Sequence, residues 1–199
     1  MRGEIPSLVT AAVTLIASAC GASDNGSATG RGSTSAVTGA MTDSESETRP
    51  PGTRSLVAVD AWRLDDAPPP ALAEDAPATV TCDNGWGVED GVFEVDSEFC
   101  NWGAFAQPSL VPIKAGDTLE VILLHDALFS DDEGATAHVA VAVGDLVVWE
   151  TTLMIPTAAG LVRPAIIASA DAPTGTPVHV HVHNHGFNNY RFVDMTVTP

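Results

Sequence analysis

The sequence predicts an all-β fold, a two-sheet antiparallel sandwich of jelly-roll type over residues 55–199. Three observations predict it. Runs of β-branched and aromatic residues of strand length recur from Ser55 onward, punctuated by Gly, Pro, Asn and Asp. In PVHVHVH, which begins at Pro177, apolar and polar residues alternate strictly, the period of a strand with two unlike faces. No stretch keeps apolar residues at helical spacing long enough for an amphipathic helix.

Taken in order, SLVAVDAWRL (Ser55–Leu64) reads as a first strand, and DDAPPPALAEDAPA as a Pro/Ala loop or short excursion. Strands follow in VFEV, CNWGAFA, TLEVILLH, AHVAVAV, LVVWETTLMI, LVRPAIIASA, PVHVHVH and YRFVDMTVT. In VGDLV, Gly144-Asp145 between two apolar runs signals a tight hairpin. The segment Asp83–Glu98 is acidic and Gly-punctuated and reads as loop up to VFEV.

Ahead of this domain the composition changes twice. MRGEIPSLVTAAVTLIASAC has Arg2, an apolar run from Leu8 to Ala17, then Ser18 and Ala19. That is a secretory signal over residues 1–19, too short to span a bilayer as a helix. Residues 20–54 are Ser, Thr, Gly, Ala and scattered acids, too poor in apolar side chains to offset the entropy of ordering, so they are expected to be a disordered tether. The formal net charge is −18 and Lys114 is the only lysine. Nucleic acid and anionic lipid headgroups are poor partners, because a negative surface repels both, whereas cations are plausible ones.

Ala17-Ser18-Ala19-Cys20 resembles the lipobox of bacterial lipoproteins. The resemblance implies a lipidated Cys20 and a membrane partner through the lipid anchor; Gly21, in place of a retention aspartate, points to the outer membrane. The two remaining cysteines, Cys82 and Cys100, are then expected to pair as a disulfide in an oxidising compartment. IKAGDTLEVILL and the strand ending in VDMTVTP resemble secreted β-sandwiches of the galactose-binding-like and carbohydrate-binding-module kind. That resemblance implies a non-catalytic binding module for a carbohydrate or an envelope or extracellular protein. A structural envelope lipoprotein without a small ligand is a further alternative.

The second candidate function, a metal-binding protein or metalloenzyme, rests on histidine. Side chains alternate across a strand, so Val178, Val180 and Val182 belong to one face and His179, His181, His183 and His185 to the other. The valines are expected in the core and the histidines outward. Alternate Cα atoms on a strand lie ~6.7 Å apart, a span that two imidazoles can bridge to one ion. The pair His183 and His185 is the first choice, with His181, His138, His125 or Asp194 completing the shell, for Zn²⁺ or Cu²⁺. This His-x-His spacing resembles the strand ligand pairs of carbonic anhydrases and cupins. Ca²⁺ at the acidic loop Asp131–Glu133 is the weaker cation alternative. For a sugar, Trp149 and Tyr190 are the candidate stacking rings, and Asn184 and Asn188 the candidate hydrogen-bonding groups. The sequence has no G-x-S-x-G, H-E-x-x-H, P-loop or dinucleotide fingerprint, so no catalytic residue is assigned.

Overall fold

The computed structural model describes residues 49–199; the expected signal, Cys20 and the tether as far as Thr48 lie outside the described residues. The strands are β1 (Arg54–Ser55), β2 (Arg63–Leu64), β3 (Trp86–Glu89), β4 (Val92–Asp96), β5 (Trp102–Pro108), β6 (Thr118–His125), β7 (Thr136–Val143), β8 (Leu146–Met154), β9 (Gly160–Val162), β10 (Ala165–Ile167), β11 (Pro177–Asn184) and β12 (Asn189–Thr198). One sheet runs β10-β6-β12-β4-β3, with β1 paired to β12 and β9 to β6; the other runs β2-β5-β11-β7-β8. All pairings are antiparallel, as expected of the sandwich. Among the described residues the single helix is α1 (Pro70–Ala73), one turn long, and no helix can cross a membrane.

Alternation builds the core. Leu119, Val121 and Leu123 of β6 face Val178, Val180 and Val182 of β11 within one buried cluster. Trp62, Phe93 and Phe105 stack through it with ring centroids 5.1–5.4 Å apart. Each such buried side chain contributes about 1.5–3 kcal/mol over an exposed one. Cys82 and Cys100 are joined as a disulfide, tying the chain before β3 to the chain before β5.

Several elements differ from the sequence expectation, each for a physical reason. Ser55–Leu64 is not one strand: the chain leaves β12 of one sheet after Ser55 and joins β5 of the other at Arg63, so its pairing partner changes midway. LVRPAIIASA divides at Pro164, which has no N–H to give to the β6 ladder. Trp86–Glu89, expected as loop, pairs with β4 through Asp90-Gly91. Both turn residues have positive φ (50° and 79°), as a type I′ hairpin requires. Arg49 to Arg54, expected in the tether, lies on the fold: Arg49 pairs with Asp194, and Thr53 shares a hydroxyl hydrogen bond with Thr198.

The two faces of β12 exchange partway along the strand. The register shifts between Phe192 and Asp194, leaving Val193 unpaired. A bulge of one residue exchanges the two faces of a strand. Tyr190 and Phe192 therefore enter the core before it, and Met195 and Val197 after it.

Candidate functional site

The valine row of β11 faces the core as its alternation predicts, with all three valines fully buried. The imidazole row faces away from that core, yet it is not solvated. His179 and His181 are buried, His183 is half-buried, and only His185, past the strand end, is exposed. What covers them is the Pro/Ala segment between β2 and β3. Alanines flank His181 in register, Ala104 on β5 and Ala140 on β7. Together with Ala142 they leave a hollow on the outer face of the sheet, and Leu72 of α1 fills it. This hollow is a groove, and the chain's own segment occupies it.

Two aspartates fasten this segment to the histidines. Asp65, at its start, meets His179 Nε2 at 3.0 Å. Asp75, just past α1, is a hub. Its Oδ1 accepts from Trp102 Nε1 at 2.9 Å. Its Oδ2 stands 2.7 Å from His138 Nδ1 and 3.1 Å from His183 Nδ1. His181 Nε2 approaches both oxygens, at 3.3 and 3.4 Å. Burial alone would raise the Asp75 carboxyl, but its contacts with His181, Trp102 and His138 outweigh this and hold it far below the usual carboxylate range. Asp75 is therefore ionised. Burial lowers the His183 imidazole below its ordinary value, with Asp75 opposing.

The structure thus gathers His138, His181 and His183 from the sequence candidates and adds Asp75, Trp102 and Glu150. Glu150 Oε2 lies 3.2 Å from His138 Nε2. His185 stacks on His183 with centroids 4.7 Å apart and stands outside the Asp75–His138–His181 group. The first-choice pair is therefore displaced: His183 joins Asp75, and His185 lines the solvent side. His125 and Asp194 belong to the opposite sheet and cannot complete this shell. His125 Nδ1 lies 2.8 Å from the Asp126 carbonyl oxygen, and Gly160 packs so closely that a Cβ there would stand 2.6 Å from Nε2. Asp194 pairs with Arg49 and caps the backbone N–H of Met195. Cys20 lies outside the described residues.

The four sugar candidates are built into the scaffold. Tyr190 is fully buried, its hydroxyl donating to Asn184 Oδ1 at 3.0 Å. Asn184 donates to Ser97 Oγ, and Asn188 accepts from Phe129 N–H at 2.7 Å. Trp149 packs half-buried against the main core. Tyr190, Asn184 and Asn188 pin the loops at one end of the sandwich, and those loops border a shallow cleft. Phe187, Glu98, Asp131, Asp132, His183 and His185 line it. Phe187, 64% exposed, presents its ring there. The acidic loop Asp131–Glu133 forms no metal-ligand grouping among the described residues.

Asp75 carried no recognisable signal, because it sits in a Pro/Ala loop far from the histidines in sequence. An indirect signal was present. A strand whose aliphatic face is wholly valine and whose other face meets alanines on both neighbours leaves room for a covering element.

No protein-family model matches the sequence, and no curated protein matches it. Solved structures resemble the fold in outline. A CBM4 domain shares 15% identity at a TM-score of 0.41, over 70% of this chain and 87% of its own. The N-terminal cellulose-binding domain of Cellulomonas fimi β-1,4-glucanase C shares 13% at 0.40, over 65% and 95%. TmCBM61, solved with β-1,4-galactotriose, shares 10% at 0.39, over 72% and 97%. At these values the likeness carries no argument about family or ligand; the sandwich is established by this chain's own strand pairing.

Proposed function

We propose that residues 49–199 form the non-catalytic binding module of an exported protein, held to a membrane through lipidated Cys20, and that its ligand is a neutral carbohydrate. The observation that supports it is the loop-end cleft. An exposed Phe187 ring stands beside carboxylates and imidazoles, and no Lys or Arg is among the lining residues. An aromatic face stacks on the C–H face of a sugar ring, while carboxylates accept hydrogen bonds from its hydroxyls. Anionic ligands are repelled from the same surface. The loops are preorganised: Ser97 Oγ donates to the Gly186 carbonyl at 2.8 Å and accepts from Asn188 N–H at 2.9 Å. That rigidity reduces the ordering cost of binding.

The test is a glycan array probed with the whole chain and with Phe187→Ala. Retention on a neutral polysaccharide that Phe187→Ala loses supports the reading. No retention on any glycan, or equal retention by the variant, overturns it. The tether is tested separately: Cys20→Ser should release the protein from the membrane fraction, and a variant that stays membrane-bound removes the anchor.

A further inference from the structure

The geometry points to a binding site for one divalent transition-metal ion of the zinc–copper class, held by Asp75, His138 and His181. This inference does not rest on the carbohydrate reading.

His181 supplies the key constraint. Its ring is fully buried, and its Nδ1 lies 3.0 Å from the carbonyl oxygen of Gly103. A carbonyl only accepts, so Nδ1 carries the hydrogen. In a neutral imidazole Nε2 is then a lone pair, and it faces the Asp75 carboxylate at 3.3 Å. A carboxylate also offers only lone pairs. Two acceptors face each other in a covered site, and only a positive charge between them makes the arrangement favourable.

A proton on Nε2 would supply that charge to His181; a dication supplies it to His181 and His138 together. The neighbouring ring of His138 is 5.4 Å away, centroid to centroid, and also points a nitrogen at the same carboxylate. Its far nitrogen meets Glu150. Donating that N–H to Glu150 leaves Nδ1 as a second inward lone pair. One dication accepts both lone pairs and the carboxylate at a single point. The three ligand atoms lie within 4.8 Å of one another. Zinc binds imidazole nitrogen and carboxylate oxygen at ~2.0–2.2 Å, so donors around one ion stand at most about 4.4 Å apart, and side-chain shifts of a few tenths of an ångström bring the set within that limit.

The surroundings fit a built site rather than a chance meeting. Metal-bound histidines usually give their other N–H to a carboxylate or carbonyl, which fixes the tautomer. Here His181 has Gly103 and His138 has Glu150. Asp75 has its own buttresses, the N–H groups of Trp102 and His183. Two nitrogens and one oxygen suit Zn²⁺ or Cu²⁺ rather than Ca²⁺ or Mg²⁺, which favour oxygen donors. A recess lined by Thr136, Thr152 and His185 leads from solvent to Asp75 and His138, giving the ion a path in.

The experiment is calorimetric titration of the whole, chelator-stripped chain with Zn²⁺ and with Cu²⁺. One equivalent should bind. His138→Gln, at a partly exposed ligand, should weaken binding at least about 100-fold, beyond the loss usual for an outer partner. Glu150→Gln should weaken it by about 10–100-fold. His185→Ala should leave it unchanged. The Cu²⁺ form should show coupling to two nitrogens in its electron paramagnetic resonance spectrum. Circular dichroism of each variant without metal establishes that it is folded, and Asp75→Asn serves as second ligand variant should His138→Gln misfold. No saturable uptake of either ion by the parent chain overturns the site. So does undiminished binding in a folded His138→Gln or Asp75→Asn chain, or loss with His185→Ala.

Discussion

Asp75 and His181 face each other at 3.3 Å across the seam between a loop segment and a sheet, carboxylate against imidazole, with the histidine fully buried. That contact fastens residues 65–76 over what would otherwise be an open sheet face. The buried Pro69 and Leu72, which sits on Ala104, Ala140 and Ala142, anchor the segment by apolar contact. Asp65 and Asp75 add the polar attachment, whose consequences can be measured.

Asp75→Ala leaves the Trp102 and His183 N–H groups without their shared acceptor and removes the carboxylate that faces His138 and His181. Asp75 is itself partly exposed, so water recovers some of the loss. A destabilisation of about 1–3 kcal/mol is expected. Asp75→Asn, which keeps an acceptor for Trp102, should cost less. Urea midpoints of the three chains, stripped of metal, check the order. Equal midpoints for Asp75→Ala and the parent would show that the hub does not hold the segment.

The pH dependence has a definite sign. The folded-state values of His183 and Asp75 both lie below their ordinary values of 6.5 and 3.8. For His183 the cause is burial first; for Asp75 burial acts the other way and the contacts with His181, Trp102 and His138 prevail. A depressed value means that the unfolded chain binds more protons, so stability falls as pH falls. The His183 contribution is complete above its ordinary 6.5 and declines beneath it; the Asp75 contribution is complete above 3.8 and declines from there downward. Urea midpoints should therefore drop between about pH 8 and pH 5, and again below about pH 4. His183→Gln should flatten the first drop. A rise in stability on acidification from about pH 8 to pH 6 would contradict this assignment.

Gly186 is set by space rather than by backbone conformation. A Cβ at this position would stand 2.0 Å from the Phe129 carbonyl oxygen and 2.8 Å from Asn188 Nδ2. Gly186→Ala must push the 129 loop away from the 186–188 loop and open the cleft that holds Phe187. A loss of about 1–3 kcal/mol is expected, together with any ligand binding at that end. Thermal melting of the variant checks the first, and the glycan array the second. An unchanged melting temperature would show that the two loops are not in contact.

The strands were legible because alternation is local. Val178, Val180 and Val182 announced their face, and Gly144-Asp145 announced its hairpin, where Gly144 has φ +58°. The Asp90-Gly91 hairpin was equally available, but its acidic surroundings read as loop. What alternation cannot carry is the choice of distant partner. It placed His125 and Asp194 beside the imidazole row, whereas they lie in the opposite sheet. Nor could it foresee Val193, where one unpaired residue exchanges the faces of β12. The hub was least visible of all. Asp75 reaches the histidines only because Leu72 finds the hollow left by three alanines, a match of shapes that no single segment displays.

Residues 65–76 bring a carboxylate to His138 and His181, and together these groups form the proposed cation site. Crystals of the whole chain grown with Zn²⁺, with diffraction recorded on either side of the zinc absorption edge, test it most directly. One anomalous peak is expected, enclosed by Asp75 Oδ, His138 Nδ1 and His181 Nε2. A peak between His183 and His185 instead, or a Pro/Ala segment lifted off the imidazole face with no peak beneath it, would contradict it.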